Sequence, residues 1–400
     1  MDEGRSRRAL AWIGLAALAV AVAGVVYLRP TLGTPAASPS PAASPAAALL
    51  PVQAVFVDDL RGVVFGPSVR AGVVTGPLVL IATRDGGRTW RQLRGLSGLS
   101  SPGPGLLLAH GTPAAGADAV EVSADGGQSW RPLPIPALDV PSGRPRILRF
   151  AFATARAGWL LEATGDASGE VPAALWRTSD GGGSWSRLPT PDLTGLGGPA
   201  DLRFVDSERG VLAVTGDGAA LVLLATGDGG ATWRPAAELD VPPPRPPVFA
   251  VELASAGPRV LAVVEGFGGV PPAGRPGPAQ VYTAASADAG HTWTTLRAGP
   301  QTGVESRPGV QGVDRLLVLD GLRIWTSGDG GATWAVRPAR LPDALEPIGA
   351  VSGGQRSLFV LAAELGPPGP LPIAARSLLR SSDDGAHWAP VALPRLRPAA

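Results

Sequence analysis

One short pattern occurs seven times in this chain: Ser or Thr, any residue, Asp, any, Gly, any, Ser or Thr, then Trp. The copies centre on Asp85, Asp125, Asp180, Asp228, Asp288, Asp329 and Asp383. Two residues after each Asp stands Gly87, Gly127, Gly182, Gly230, Gly290, Gly331 or Gly385, and five after it Trp90, Trp130, Trp185, Trp233, Trp293, Trp334 or Trp388. The residue before the Trp is Ser or Thr in six copies and His387 in the last. Fixed residue types recurring at fixed offsets require a fold of equivalent units, each packed on neighbours of its own kind.

The spacing says what those units are. Successive box tryptophans are 40 to 60 residues apart, a period that fits four-stranded propeller blades when the segments between are short apolar runs broken by Gly and Pro. The fourth repeat shows the anatomy. Leu202–Val205 reads as a first strand, Ser207–Gly210 as a turn, Val211–Val214 as a second strand and Leu221–Ala225 as a third that runs into its box. A fourth strand follows Trp233. The first repeat (Val55–Asp58, Val63–Phe65) and the third (Leu148–Ala151, Gly158–Leu161) match it, whereas the first strands of repeats two and six are faint. Beyond the N-terminus no stretch sustains a 3.6-residue period. The expected fold is all-β: a seven-bladed propeller of four-stranded antiparallel blades over residues 51–400, with Ala47–Gln53 a candidate contributor to the last blade because closing the ring protects strand edges.

Each box reads as a self-satisfied turn between a third and a fourth strand. A short Asp accepts from backbone N–H groups just after it, and Ser or Thr hydroxyls join that network. Gly supplies positive φ. Trp brings a large apolar surface between or beneath sheets, with an N–H free to find a carbonyl. Seven carboxylates on seven blades do not converge on one reaction centre, and a calcium loop needs several oxygen ligands at close spacing. No metal and no cofactor is expected.

The N-terminus is of another kind. Residues 1–8, carrying Arg5, Arg7 and Arg8, precede an uncharged apolar run over 9–28. Twenty residues at about 1.5 Å each span about 30 Å, one bilayer core, and the arginines place residues 1–8 in the cytoplasm. The length favours an uncleaved transmembrane anchor; a cleaved signal peptide, and so a secreted domain, is the alternative. Residues 29–50 are rich in Pro, Ala and Ser and read as an extended tether. The domain beyond is then extracytoplasmic.

With 34 basic residues, none of them Lys, against 33 acidic, and no run of like charge beyond the N-terminus, nothing marks a nucleic-acid surface. The absence of Cys excludes disulfides, thiolate metal sites and a catalytic thiol. His110, His291 and His387 stand apart, two of them inside boxes, and form no ligand set.

The boxes resemble the Asp-box, or bacterial neuraminidase repeat, of sialidases, xyloglucanases, sortilin-type receptors and propellers of the photosystem II assembly-factor type. The succession of a Phe-Val-Asp strand, a Gly turn, a second strand and a box is most similar to the assembly-factor type. That resemblance implies an exported, membrane-bound, non-catalytic propeller that holds a protein client on one face. Sialidase chemistry would need a Tyr nucleophile and an Arg-Ile-Pro stretch; here Tyr27 lies in the apolar run, Tyr282 on a third strand, and neither Arg146-Ile147 nor Arg323-Ile324 is followed by Pro.

With the boxes on one face, the other face is built from connections between blades and between second and third strands. These read as Pro-rich loops over 132–146, 162–174, 235–247, 265–280, 298–311 and 364–375. They carry Arg144, Arg146, Arg245, Arg275 and Arg307 among Glu170, Glu265, Glu305 and Glu364. Pro lowers the entropy lost on binding. The expectation is a monomeric, membrane-anchored scaffold or assembly factor that binds a protein client or extracellular ligand through this mixed-charge face. A glycoside- or polysaccharide-acting hydrolase is the alternative, since that chemistry asks only for two suitably spaced carboxylates.

Overall fold

The computed structural model describes residues 47–396, apart from 71–72, 94–97, 104, 111–119, 138–145, 167–168, 216–219, 243–247, 268–278, 302–307, 321–322, 343–344, 352–356 and 366–372. Residues 1–46, with the apolar run and most of the tether, lie outside the described residues. From Gln53 onward the chain forms seven antiparallel sheets of four strands in sequence order, one per box. Blade four spans Gly198–Phe204, Gly210–Thr215, Ala220–Thr226 and Arg234–Asp240; its second and third strands match their expected limits to within a residue, while its first begins at Gly198 rather than Leu202. Even the faint first strands form, as Gly98–Gly103 in blade two and Gly309–Gln311 in blade six.

First strands of neighbouring blades lie against one another, so each blade runs from the axis outward and its fourth strand is the rim. Rim strands are exposed, as in Ala335–Pro338. Second and third strands are apolar on both faces because both are covered. In blade four Leu212 and Val214 pack toward blade three, while Val211 and Ala213 pack toward blade five. The core is therefore seven interfaces rather than one centre. Each hydrophobic cluster joins two adjacent blades, and one joins the seventh to the first. Between blades three and four the fully buried Trp159 stacks on Phe204 with ring centroids 3.5 Å apart.

Prolines inside strands remove a ladder donor, which would argue against strand formation. Here they sit at irregularities in the ladder: Pro67, Pro172, Pro199, Pro235 and Pro347 each fall beside a register shift. A bulge leaves one residue unpaired, so the missing N–H costs little there.

The expected ring closure is corrected in part. Ala48–Leu49 does add a strand, but to blade one, pairing with Val69 and Ser68. Its backbone meets the seventh repeat at Ala47, whose carbonyl accepts the Leu396 N–H at 2.8 Å. Side chains complete the closure: Phe56 of blade one stacks on Phe359 of blade seven at 3.8 Å.

Candidate functional site

The propeller has two faces and an axial channel, and the three use their polar residues differently. On the box face, every box closes the same network. In the first, Asp85 Oδ1 accepts from the Thr83 hydroxyl at 2.9 Å and the Thr89 N–H at 2.8 Å, and Oδ2 accepts from the Thr89 hydroxyl at 2.5 Å. The Thr83 hydroxyl in turn accepts from the Gly87 N–H at 2.9 Å. The same bonds recur at Asp125, Asp180, Asp228, Asp288 and Asp329. In the seventh box His387 Nδ1 takes the hydroxyl's place, 2.6 Å from Asp383 Oδ2.

These donors favour the charged carboxylate. The Thr89 hydroxyl and N–H hold the Asp85 carboxyl down at about 2, and Thr232 holds Asp228 at about 2. The Ser184 N–H and hydroxyl take Asp180 well below the usual carboxylate range. Such groups are permanently ionised and fully engaged, unsuited to giving or taking a proton near neutral pH.

The box glycines do more than supply positive φ. Gly182 has φ 88°, and a Cβ built on it would lie 2.1 Å from Leu133 of the preceding blade. Gly127 and Gly290 meet Val63 and Val211 of their preceding blades in the same way, at 2.3 and 2.1 Å. Box tryptophans fill the same seams. Trp90 donates to Ala392 of blade seven at 2.9 Å, and Trp185 to Pro134 of blade two at 2.7 Å. The expected carbonyl partner is found by Trp130, Trp293 and Trp388 within their own boxes, but the N–H groups of Trp233 and Trp334 are buried without one.

First turns share this face. Asp58 accepts from the N–H groups of Leu60 and Arg61 and pairs with the Arg61 guanidinium at 2.7 Å, and Asp206 does the same with Glu208 and Arg209. Between blades six and seven, Asp384 pairs with Arg315 at the edge of an open depression of about 550 Å³.

In the channel the structure shows a role that the sequence reading missed. An innermost strand has one edge with no strand beside it, and polar side chains of the preceding blade satisfy that edge. Gln53 donates to the Leu99 carbonyl at 2.8 Å, Arg149 to Ala200 at 2.9 Å and Arg203 to Leu253 at 2.9 Å. Asp201 accepts the Leu253 N–H at 2.7 Å, and burial pushes its carboxyl up against the pull of Arg203 and Arg149. The signal was present in the sequence: Leu148-Arg149-Phe150 and Leu202-Arg203-Phe204 each set an Arg between apolar neighbours on a first strand.

On the opposite face the expected loop 162–174 is largely strand: blade three continues to Asp166 and resumes at Gly169. Two others are strand in part, since the fourth strands of blades four and five run on to Asp240 and Gln301 and the first strand of blade six begins at Gly309. Glu162, expected at a loop end, is fully buried and accepts the Trp176 indole N–H at 2.8 Å. Glu265 is buried too, at 8% exposure. Arg146 opens the first strand of blade three, paired with Thr164. Arg144, Arg245, Arg275 and Arg307 lie outside the described residues, in connections whose flanking strands end on this face. Among the described residues no group of three or more His, Asp or Glu side chains could hold a metal ion. Tyr282 is buried in the seam between blades four and five.

No protein-family model matches the chain, and no curated protein does. Solved structures are similar to it. YCF48 bound to D1 peptide is 18% identical with a TM-score of 0.45, over 83% of this chain and 97% of that one. YCF48 from Cyanidioschyzon merolae is 17% identical with a TM-score of 0.44, over 81% and 95%. The α-L-arabinofuranosidase Arb93a of Fusarium graminearum is 15% identical with a TM-score of 0.36, over 84% and 92%. At such scores the likeness adds nothing to the seven sheets themselves, which define the class as an all-β, seven-bladed propeller.

Proposed function

We propose that this chain is a single-pass membrane protein whose extracytoplasmic propeller holds a protein client on the face opposite its boxes, without catalysing a reaction. One observation carries the reading: the described carboxylates that most resemble catalytic candidates already have structural partners. The box aspartates close their own turns, Asp201 caps a neighbouring strand, and Glu162 is sealed under Trp176. A glycosidase needs two accessible carboxylates flanking the scissile bond, a role that these engaged groups do not fit. The connections that carry Arg144, Arg245, Arg275 and Arg307, together with Arg146 at the start of a strand, are the surface assigned to the client, since binding residues concentrate in connections on a rigid scaffold.

The test is the triple variant Arg144→Ala, Arg146→Ala and Arg275→Ala, expressed in intact cells and compared with the unaltered chain by chemical crosslinking. Crosslinked client should fall while the circular dichroism of the purified domain is unchanged. Undiminished capture would remove these arginines from the binding face.

A further inference from the structure

The chain joins the propeller at an identifiable face. Ala48 and Leu49 pair with Val69 and Ser68, and the pairing continues through the Leu50 N–H to Pro67 at 3.0 Å and the Val52 N–H to Phe65 at 2.9 Å. It ends with Phe56 opposite Gly62. Gly62 in turn lies opposite Thr83, which opens the first box. The chain therefore enters at the loop face and runs toward the box face. Its entry point is fixed: Ala47, Leu49 and Leu396 are buried in the seam between blades seven and one. Gly66 admits the strap, since any Cβ there would lie 1.8 Å from the Leu50 carbonyl oxygen.

Residues 29–46 precede this point. Eighteen residues reach about 55 Å as a polyproline II rod and about 25 Å as a flexible coil. The first strand of blade four has seven residues, and at about 3.3 Å per residue it is about 23 Å tall. The tether is thus comparable with the height of the domain, and it leaves from one face only. We propose that the loop face is turned toward the bilayer and the box face away from it, so that the client is the extracytoplasmic part of a protein embedded in the same membrane. This rests on the anchored reading of residues 9–28.

The chain has no Cys, so single cysteines report cleanly. Glu364 is exposed near the loop-face end of the second strand of blade seven, and Glu208 is exposed in a first turn on the box face. Full-length Glu364→Cys and Glu208→Cys, each carrying a donor dye, are placed in phosphatidylcholine vesicles that contain an acceptor-labelled lipid. Energy transfer should be several-fold greater from position 364. Equal or greater transfer from position 208, in vesicles that retain the protein, overturns the orientation alone. Loss of the protein from floated vesicles overturns the anchored reading, and the proposal with it. A photoreactive group at position 364 in intact cells then tests the partner: its crosslinked product should resist extraction from membranes by alkaline carbonate. A product washed into the soluble fraction overturns the partner class.

Discussion

The two ends of the same blades are built on opposite rules. On the box face one solution is repeated seven times: Ser or Thr, Asp and Gly close a turn on themselves, and Gly and Trp dock it on the preceding blade. On the loop face the connections between second and third strands range from two residues to eleven. The second and third strands of blade three are joined through 167–168 and those of blade five through 268–278. Repetition at one end holds the ring together and frees the other end to vary. A pattern conspicuous in sequence thus marks where the architecture is maintained, and specificity has room to arise where the pattern stops.

The sharpest way to break this comparison is to damage a seam. Gly182→Ala meets both an unfavourable φ and the Leu133 side chain at 2.1 Å. Backbone strain and overpacking together should cost about 3 kcal/mol, read as a lower denaturant midpoint with an unchanged slope. Trp159→Ala, which empties the stack on Phe204, should cost about 3–5 kcal/mol. A change below about 0.5 kcal/mol at either site, the level of an ordinary surface substitution, would mean that the seams are not what holds the ring.

Deleting residues 47–53 comes next. It removes the Ala47–Leu396 bridge, the added strand on blade one and the buried Leu49. Thermal unfolding should shift to markedly lower temperature; an unaltered transition would show that Phe56 and Phe359 suffice to close the ring.

A smaller and more diffuse effect is expected from acid. Asp85 and Asp228 hold their protons only near about 2 when folded, against about 3.9 in an unfolded chain. The unfolded state therefore binds protons first as pH falls. The boxes' contribution is complete above about pH 4 and is lost progressively toward about pH 2. Urea midpoints measured across that range should decline; a flat profile would show that the box carboxylates do not stabilise the turn.

Much of the architecture was legible from the chain. The number of blades, the position of each box between third and fourth strands, and the limits of the second and third strands of blade four follow from local signals: turn residues at fixed offsets and short apolar runs. Less legible was whatever depends on which blade lies beside which. Arg149 and Arg203 sit between apolar neighbours in the chain, but their role as caps emerges only when Ala200 and Leu253 are seen beside them. The box Gly reads as a φ requirement alone until Leu133 or Val211 is found against it. Strand length was underread for a different reason. Pro67 and Pro172 look like breakers, and only the bulges beside them show how strands run through. The candidate arginines of the loop face gain least, since four of the five lie outside the described residues.

Whether stability resides at one face and recognition at the other is tested by one paired measurement. Client crosslinking in intact cells is scored per folded molecule for Asp228→Ala and for the triple arginine variant. Asp228→Ala should lower the stability of the domain, through lost hydrogen bonds to a charged group worth about 1–3 kcal/mol, yet capture client normally per folded molecule. The triple variant should remain as stable as the unaltered chain and lose capture. Normal capture by the triple variant, with capture lost by fully folded Asp228→Ala, would place recognition on the box face and contradict the account.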